Sequence, residues 1–318
     1  MRALTLIPPS SGKGQPDLQI IQAPKPTAAS GEVLVRVHFA GLQYMDYEAW
    51  QGDKNKALAK ARKNGSVVSG IEMSGVVESD GYRLKRGDKV FGYTNIFKGP
   101  FYHAEYVAVS EDKLAILPDG MTLQGAASIV GGGLTALAAL ERIAGLKAGE
   151  NVLITGATGS VGTTAVQLAK HLGANVAGVC HSSQMTFARS LGADEAYAYD
   201  RGELPPAEHQ FDVVFDAAAA LKFAGADGFL TPQGRYITTM PHLDVGGFLK
   251  SLFSRRKWGF LLVSDTDRER MERLRSLIAA GAFRDTIEKI FPLAIARDAF
   301  NHQQGTGKGG KILLDLIS

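Results

Sequence analysis

NVLITGATGSVGTTAVQLAKHL, residues Asn151–Leu172, is the stretch of the chain that decides its fold. Its apolar start, Val152–Ile154, is typical of a buried parallel strand. A glycine-rich turn, Gly156–Gly162, comes next, and apolar residues at helical spacing follow it directly. Backbone N–H groups at a helix N-terminus, with no side chains in the way, can accept a pyrophosphate. The stretch therefore predicts the first strand, turn and helix of a dinucleotide-binding fold.

The glycine motif alone is a weak signal, because Ala157 stands where its first glycine is expected. An ordinary tight turn between a strand and a helix is the alternative interpretation. The flanking strand and helix favour the cofactor interpretation, because phosphate binding requires both of them. The candidate pyrophosphate-binding residues are Gly156, Ala157, Thr158, Gly159, Ser160, Val161 and Gly162.

Strand-like and helix-like segments continue to alternate after this unit. A helical stretch near Gln184–Leu191 separates the second strand from the third. This alternation predicts an α/β fold with a doubly wound parallel Rossmann sheet of six strands. The five further strand candidates are Asn175–Cys180, Ala196–Tyr199, Phe211–Asp216, Arg235–Thr239 and Gly259–Val263.

Length and composition set outer limits on the protein. A chain of 318 residues favours two domains, and a net charge of +3 is too small to indicate nucleic acid. The single cysteine excludes a disulfide framework within the chain and suits a reducing compartment. The N-terminus lacks the apolar core of a signal peptide, and the most apolar stretch, Ala126–Leu140, is interrupted by glycines. We therefore expect a cytoplasmic protein without a membrane span.

The first part of the chain is predicted to be β-rich, with turns made by Pro, Gly and Asp clusters. Its strand candidates are Leu4–Ile7, Leu18–Ile21, Val33–Phe39, Gly75–Glu78, Lys89–Phe91 and Glu105–Val109. After the cofactor strands, the pattern predicts a helix over Arg268–Ala280, a strand at Ile287–Phe291, a helix near Ala294–Gln303 and a strand at Lys311–Leu316. We expect this tail to rejoin the first domain. The predicted boundaries are residues 1–122 and 265–318 for one domain and 123–264 for the inserted Rossmann domain.

Four passages of the sequence resemble the medium-chain dehydrogenase/reductase superfamily. They are Gly87–Gly92 (GDKVFG), Ala104–Val107 (AEYV), Gly133–Leu137 (GLTAL), and the glycine turn with Gln167–Lys170 (QLAK). The resemblance covers nearly the whole chain and is strongest to the zinc-less quinone oxidoreductase and enone reductase branch. It implies a GroES-like catalytic domain wrapped around a Rossmann domain, a homodimer, and a cofactor contact at Thr135.

The zinc enzymes of this superfamily differ from this chain at their ligand positions. Catalytic zinc needs three protein ligands, usually Cys and His, and an open position. The early active-site segment, Ala40–Asp46, contains no Cys, and the family's Gly-His-Glu motif is Gly70-Ile71-Glu72 here. The only cysteine, Cys180, lies in a predicted cofactor-domain strand. The sequence therefore predicts no catalytic or structural zinc.

The residues after the second cofactor strand bear on the choice of dinucleotide. An NAD site usually places Asp or Glu there to accept a hydrogen bond from the ribose 2′-OH. This chain has Cys180–Ser183 (CHSS), and its first acid after the turn is Asp194. Relatives that use NADP often add a basic residue, which is missing, and a Tyr after the third strand. The missing acid favours NADPH, and the candidate contacts are His181, Ser182, Ser183 and Tyr199. The alternative is that these are only polar loop residues without a role in cofactor choice.

The resemblance implies reduction of quinones or of carbon–carbon double bonds conjugated to a carbonyl, with a small-molecule substrate. Gln43 stands where the family usually has Asn, and Glu48 where it often has Tyr. Gln43 and Tyr47 are the candidate catalytic residues, although neighbouring residues on a strand point to opposite faces. An NADPH-binding structural or interaction protein with little turnover is the alternative. The basic segment Asp53–Lys63 is either a solvated helix face or a surface that steers an anionic acceptor.

Overall fold

The computed structural model describes residues 1–7, 14–52, 67–261 and 263–318. The basic segment Asp53–Lys63 lies outside these described residues. The chain forms two compact units, and it passes between them more than once. The first unit comprises Met1–Gly131, Ser264–Gly305 and Lys311–Ser318, and the second comprises Gly132–Val263 and Thr306–Gly310.

The described residues form sixteen strands. In chain order they are β1 Arg2–Ile7, β2 Asp17–Gln22, β3 Glu32–Leu42, β4 Val67–Val68, β5 Glu72–Val77, β6 Lys89–Tyr93, β7 Tyr106–Ser110, β8 Leu114–Ile116, β9 Asn151–Thr155, β10 Asn175–Cys180, β11 Glu195–Ala198, β12 Phe211–Asp216, β13 Leu230–Thr238, β14 Lys257–Phe260, β15 Ile287–Pro292 and β16 Lys311–Asp315.

Eight α-helices accompany these strands in the described part of the chain. They are α1 Tyr44–Trp50, α2 Leu123–Ala136, α3 Gly162–His171, α4 Met185–Ser190, α5 Phe223–Ala226, α6 Val245–Ser251, α7 Arg268–Ala279 and α8 Ala296–Gln303. Helix α2 continues into a π-helical stretch, Leu137–Ile143. The combined stretch Leu123–Ile143 is long and apolar enough to cross a membrane, but 83% of its most apolar window is buried in the structure, as in a core helix.

The second unit is built on six parallel strands in the order β11-β10-β9-β12-β13-β14. The order reverses direction between β9 and β12, which makes this a doubly wound sheet. Helix α3 is buried along Gly162–Ala169 and ends with Lys170 and His171, whose charges suit the negative end of the helix dipole. The predicted Rossmann sheet of six strands is confirmed.

The first unit contains a three-stranded sheet and a seven-stranded sheet. The small sheet has the order β2-β1-β4, and the large one has the order β15-β16-β3-β5-β6-β8, with β7 also paired to β3. All pairs except β15 with β16 are antiparallel. Strand β16 of the tail pairs with β3 of the first unit.

One local expectation from the sequence is wrong. The segment with Tyr47 is a helix, α1, and not a strand. Its first turn is stabilised from the side by Asp46, whose Oδ2 accepts a hydrogen bond of 2.9 Å from the backbone N–H of Gln43. A side-chain acceptor at this position satisfies an N–H group near the helix start. Gln43 therefore precedes the helix in extended conformation, while Tyr47 lies one turn into it.

Candidate functional site

The turn Gly156–Gly162 connects β9 to α3 and depends on its outer glycines. Gly156 has a φ of +60°, and a Cβ there would lie 2.9 Å from the Cβ of Ala218. A Cβ at Gly162 would lie only 1.9 Å from the carbonyl oxygen of Gly156. Ala157 is buried, and its N–H donates to the carbonyl of Val179 at 3.0 Å. Alanine at this position therefore serves packing of the turn against the sheet.

Two features of the turn fit a bound pyrophosphate. A Cβ at Gly159 would meet only the carbonyl oxygen of Gly156, at 3.4 Å, so the space beside this residue is open. The buried hydroxyl of Ser160 has no hydrogen-bond partner among the described residues. A helix N-terminus with an open glycine and a polar donor suits a dinucleotide phosphate. The residues present therefore fit a nicotinamide dinucleotide.

Asp216, at the end of β12, organises the neighbouring loop. Its buried carboxylate accepts hydrogen bonds from Thr155 Oγ1 at 2.5 Å, from Tyr236 OH at 3.1 Å and from the N–H groups of Ala220 and Leu221 at 2.9 Å. Burial and the nearby Asp216 charge raise the pKa of Tyr236, so its phenol stays protonated and donates. Asp216 thus fixes the loop at the carboxyl end of the sheet, a role that the strand pattern did not predict.

The loop after β10 carries three of the predicted phosphate contacts, and an acid lies beside it. Asp200 accepts hydrogen bonds from the N–H and the hydroxyl of Ser182, both at 2.7 Å. The Ser182 hydroxyl bond holds the pKa of Asp200 below its usual range. His181 Nε2 lies 3.6 Å from the same carboxylate, and Ser183 N donates to His181 Nδ1 at 3.2 Å. The Tyr199 ring packs edge-on against His181. The sequence had missed this acid, because it lies after β11.

The tail segment Thr306–Gly310 lies along the same cofactor surface. Gln184 Nε2 donates to the carbonyl of Gly307 at 2.8 Å, and a Cβ at Gly307 would lie 3.5 Å from the His181 ring. At its other end, Gly310 N donates to the carbonyl of Thr158 in the glycine turn at 2.8 Å. The segment therefore spans from the loop after β10 to the turn, and it carries Lys308. No signal in the sequence placed it there.

In the first unit, Gln43 belongs to a buried polar cluster around Glu72. Gln43 Nε2 donates to Glu72 Oε1 at 2.7 Å, and the N–H of Gly131 donates to Glu72 Oε2 at 2.7 Å. The ammonium of Lys311 forms an ion pair with Glu72 Oε1, and both side chains are fully buried. Burial, followed by the charges of Glu72 and Asp46, raises the pKa of the nearby Tyr93. The sequence named Gln43 but not its partners.

The other candidate residues have packing neighbours. Tyr47 packs against the rings of Tyr44 and Trp50, with centroids 5.9 and 6.2 Å apart. Thr135 lies in α2, and it is half-buried. His103 is buried; its Nδ1 lies 2.8 Å from Ser69 Oγ and its Nε2 lies 3.1 Å from the carbonyl of Gly41, so it connects the segment at Ser69 to strand β3.

The residues at the zinc-ligand positions of the superfamily do not fit a zinc ion. Glu72 is the only metal-binding residue type left in Gly70-Ile71-Glu72, and its carboxylate is already bonded to Lys311, Gln43 and Gly131. A cation placed here would be repelled by the Lys311 ammonium. No group of three or more His, Cys, Asp or Glu side chains suited to a metal occurs among the described residues.

Two family models match the chain. Residues 29–119 match the alcohol dehydrogenase GroES-like domain, and residues 191–314 match a family described as zinc-binding dehydrogenase. The second description is a family name, and the cluster around Glu72 does not supply a zinc donor set. Together the two matches cover most of the seven-stranded sheet of the first unit and much of the parallel sheet of the second unit.

Named relatives and a solved structure agree with these matches. The chain is 29% identical to the chloroplast envelope quinone oxidoreductase homolog of Arabidopsis thaliana, over 96% of both chains. It is 26% identical to the 2-methylene-furan-3-one reductase of Solanum lycopersicum, over 92% of this chain and 74% of that one. The quinone oxidoreductase of Coxiella burnetii superposes with a TM-score of 0.83 at 27% identity, over 99% of both chains. The chain is an oxidoreductase of a nucleotide-binding family, and it belongs to the quinone oxidoreductase branch of the medium-chain dehydrogenase/reductase superfamily.

Proposed function

We propose that this protein is an NADPH-dependent, zinc-independent reductase of quinones or α,β-unsaturated carbonyl compounds. The observation that carries the proposal is the bonding of Glu72 to a buried ammonium where zinc enzymes of the superfamily would use a metal. Alcohol oxidation by those enzymes relies on a Lewis acid. Reduction of a conjugated acceptor by hydride does not need one, and two relatives are named for such reductions.

The nicotinamide cofactor, when bound, supplies the hydride. The turn Gly156–Gly162 would hold its pyrophosphate through backbone N–H groups and the Ser160 hydroxyl. Negative charge develops on the carbonyl or quinone oxygen of the acceptor as it is reduced, and a placed N–H donor stabilises that charge. Gln43 is our choice for this donor. Tyr47 is the second candidate, although its ring is held by two aromatic neighbours.

The preference for NADPH is supported by the absence of an acid on β10 itself and by the donors around the loop that follows. His181 and Ser183 lie beside the tail segment that carries Lys308, and we propose Lys308 as the basic residue that the loop itself lacks. Asp200 works against a 2′-phosphate, because it stays ionised, but Ser182 already donates twice to it. Ser182 is therefore a positioning residue for Asp200 in this proposal, and not a phosphate contact.

Helix α6 is the feature that favours a homodimer. Its buried positions are the small residues Gly247 and Ser251, while large apolar residues face outward. Within the helix Val245 is 61% and Leu249 is 55% exposed, which is the reverse of an ordinary surface helix, and Leu252 and Phe253, which directly follow it, are 63% and 93% exposed. Strand β14, which follows at once, is the last strand of the sheet order and offers an unpaired edge on its outer side in the described structure. Burial of both features against a second copy would remove the apolar patch and the open edge together.

We also propose that the first unit is the catalytic domain, that the second is the NADPH-binding domain, and that the protein works in the cytoplasm. The location rests on the single cysteine, Cys180, which is buried and free.

The test is a turnover assay. The oxidation of NADPH is followed by its absorbance with a panel of quinones, enones and enoyl thioesters. We expect turnover with at least one class and little with NADH. Tight NADPH binding without turnover of any acceptor would contradict the proposal and favour the alternative, a cofactor-binding structural or interaction protein.

A further inference from the structure

The ion pair between Glu72 and Lys311 is the most completely buried charge pair of the described structure. Both side chains have 0% of their surface exposed, whereas every other described ion pair keeps at least one side chain about a fifth exposed or more. The two residues lie 239 positions apart, at the starts of β5 and β16. The fold therefore brings together two residues that are distant in the sequence, within the seven-stranded sheet of the first unit.

The surrounding backbone is shaped to admit the carboxylate of Glu72. A Cβ at Gly41 would lie 2.1 Å from Glu72 Oε1, and a Cβ at Gly131 would lie 2.2 Å from Glu72 Oε2. Any side chain at either position would collide with the carboxylate. Because Gly131 has no side chain, its own N–H can approach Glu72 Oε2 and donate to it.

Stability alone does not explain such a pair. Removing two charges from water costs about as much as their attraction returns, so a buried ion pair is often no more stable than apolar side chains of the same volume. We therefore look for an effect of the pair other than stability, and the third hydrogen-bond donor to Glu72 indicates one. That donor is the Nε2 group of Gln43.

Contact with Glu72 decides which way the Gln43 carboxamide is turned. An ionised carboxylate can only accept hydrogen bonds, so the NH₂ end of the carboxamide must face it and Oε1 must face away. The backbone of Gln43 is fixed separately, because its N–H donates to Asp46, whose other oxygen accepts from Gly70 N at 3.0 Å. Both ends of Gln43 are thus held, and its second Nε2–H has a defined direction.

We propose that Glu72 and Lys311 are positioning residues that lock the Gln43 carboxamide in one orientation for the acceptor. Lys311 pairs with the Glu72 carboxylate, and Glu72 holds the NH₂ end of Gln43. This inference rests on the proposed reductase function, because it assigns Gln43 to the acceptor.

The experiment compares Glu72→Gln, Lys311→Met and the double variant with wild type, and repeats all three in a Gln43→Ala background. Each single variant should lower kcat by about 10- to 100-fold, because a misoriented contact loses transition-state stabilisation. Affinity for NADPH, measured by fluorescence titration, should stay within about 2-fold, because its residues lie in the other unit. In the Gln43→Ala background the same replacements should change kcat by less than about 2-fold.

Lys113→Met is the matched control. Lys113 pairs with Asp265 in the same unit at 2.6 Å, but both side chains are partly exposed and neither contacts Gln43. This variant should leave kcat at the wild-type value. Folded Glu72 or Lys311 variants with wild-type kcat, or losses that multiply with that of Gln43→Ala, would overturn the proposal.

Two complications are resolved by the same set of proteins. If a single variant leaves a buried charge and fails to fold, the neutral double variant gives the kcat comparison. If wild type turns over no acceptor, the proposed function fails. The positioning of Gln43 by Glu72 is then tested by the midpoints of thermal or denaturant unfolding. Additive shifts of the unfolding midpoint for Gln43→Ala and Glu72→Gln would overturn the proposal that Glu72 positions Gln43, and non-additive shifts would support it.

Discussion

Replacing Gly159 by aspartate should abolish NADPH binding while leaving the fold intact. A Cβ at Gly159 would contact only the carbonyl oxygen of Gly156, at 3.4 Å, so the turn has room for a side chain. A carboxylate about 4 Å from a pyrophosphate charge, at an effective dielectric constant of about 20, costs about 4 kcal/mol. The dissociation constant for NADPH should therefore rise by about three orders of magnitude.

Gly159→Asn is the matched control, because it has the shape of aspartate without the charge. The two variants should differ in NADPH affinity by about two to three orders of magnitude at low salt, and the difference should shrink as salt screens the charges. Fluorescence titration gives both constants, and circular dichroism shows whether the variants are folded. Gly162→Ala marks the other extreme, since its Cβ would lie 1.9 Å from the Gly156 carbonyl oxygen and should destabilise the turn itself. A folded Gly159→Asp protein that binds NADPH as wild type does would refute this assignment of the turn.

Four other substitutions or treatments test the remaining assignments. Ser183→Asp should lower NADPH affinity by about 2–4 kcal/mol, or roughly two orders of magnitude, and leave NADH affinity unchanged in parallel titrations. Asp200→Asn should strengthen NADPH binding by about 2- to 5-fold without affecting NADH, because it removes a carboxylate whose lowered pKa keeps it ionised at neutral pH; equal effects on both cofactors would contradict the 2′-phosphate assignment. Activity should survive dialysis against a strong chelator, and elemental analysis should find zinc well below one ion per chain, whereas a zinc requirement would refute the fit argument at Glu72. Phe253→Asp should convert a dimer into monomers in sedimentation velocity, and an unchanged mass would show that the α6 surface is not the interface.

The elements that the sequence predicted well are those whose signals are local. Strands β10 and β12 have the predicted bounds, and α7 ends within one residue of its prediction, because an apolar run or a helical stripe is written in consecutive residues. The segment after Gln43 gives no such local signal. Helix α1 has only seven residues, too few for a clear period, and Asp46 stabilises its start from within the turn.

The cofactor loop illustrates a second limit. A dinucleotide motif places its acid at the end of the second strand. Asp200 reaches the same loop from the end of β11, eighteen positions after Ser182, because parallel strands end side by side at one edge of the sheet. The neighbouring tail segment, Thr306–Gly310, arrives from more than 120 positions away. The pairing of β11 with β10 places Asp200 beside the loop after β10, so the order of strands in the sheet predicts this contact. No local feature of the sequence predicts that the tail lies there.

The sequence predicts the partners of Gln43 only weakly. Comparison with the zinc motif gives only a negative result, the loss of a histidine before Glu72. The positive signal is that Glu72 and Lys311 each open a strand with few other polar residues, EMSGVV and KILLD. A charge at the buried end of such a strand is costly unless it is paired, so two of opposite sign in one predicted domain are natural candidates for each other. Once that pairing is considered, a metal is no longer needed to balance the charge of Glu72. In the proposed arrangement, Glu72 is balanced by Lys311 and in turn anchors the Gln43 carboxamide.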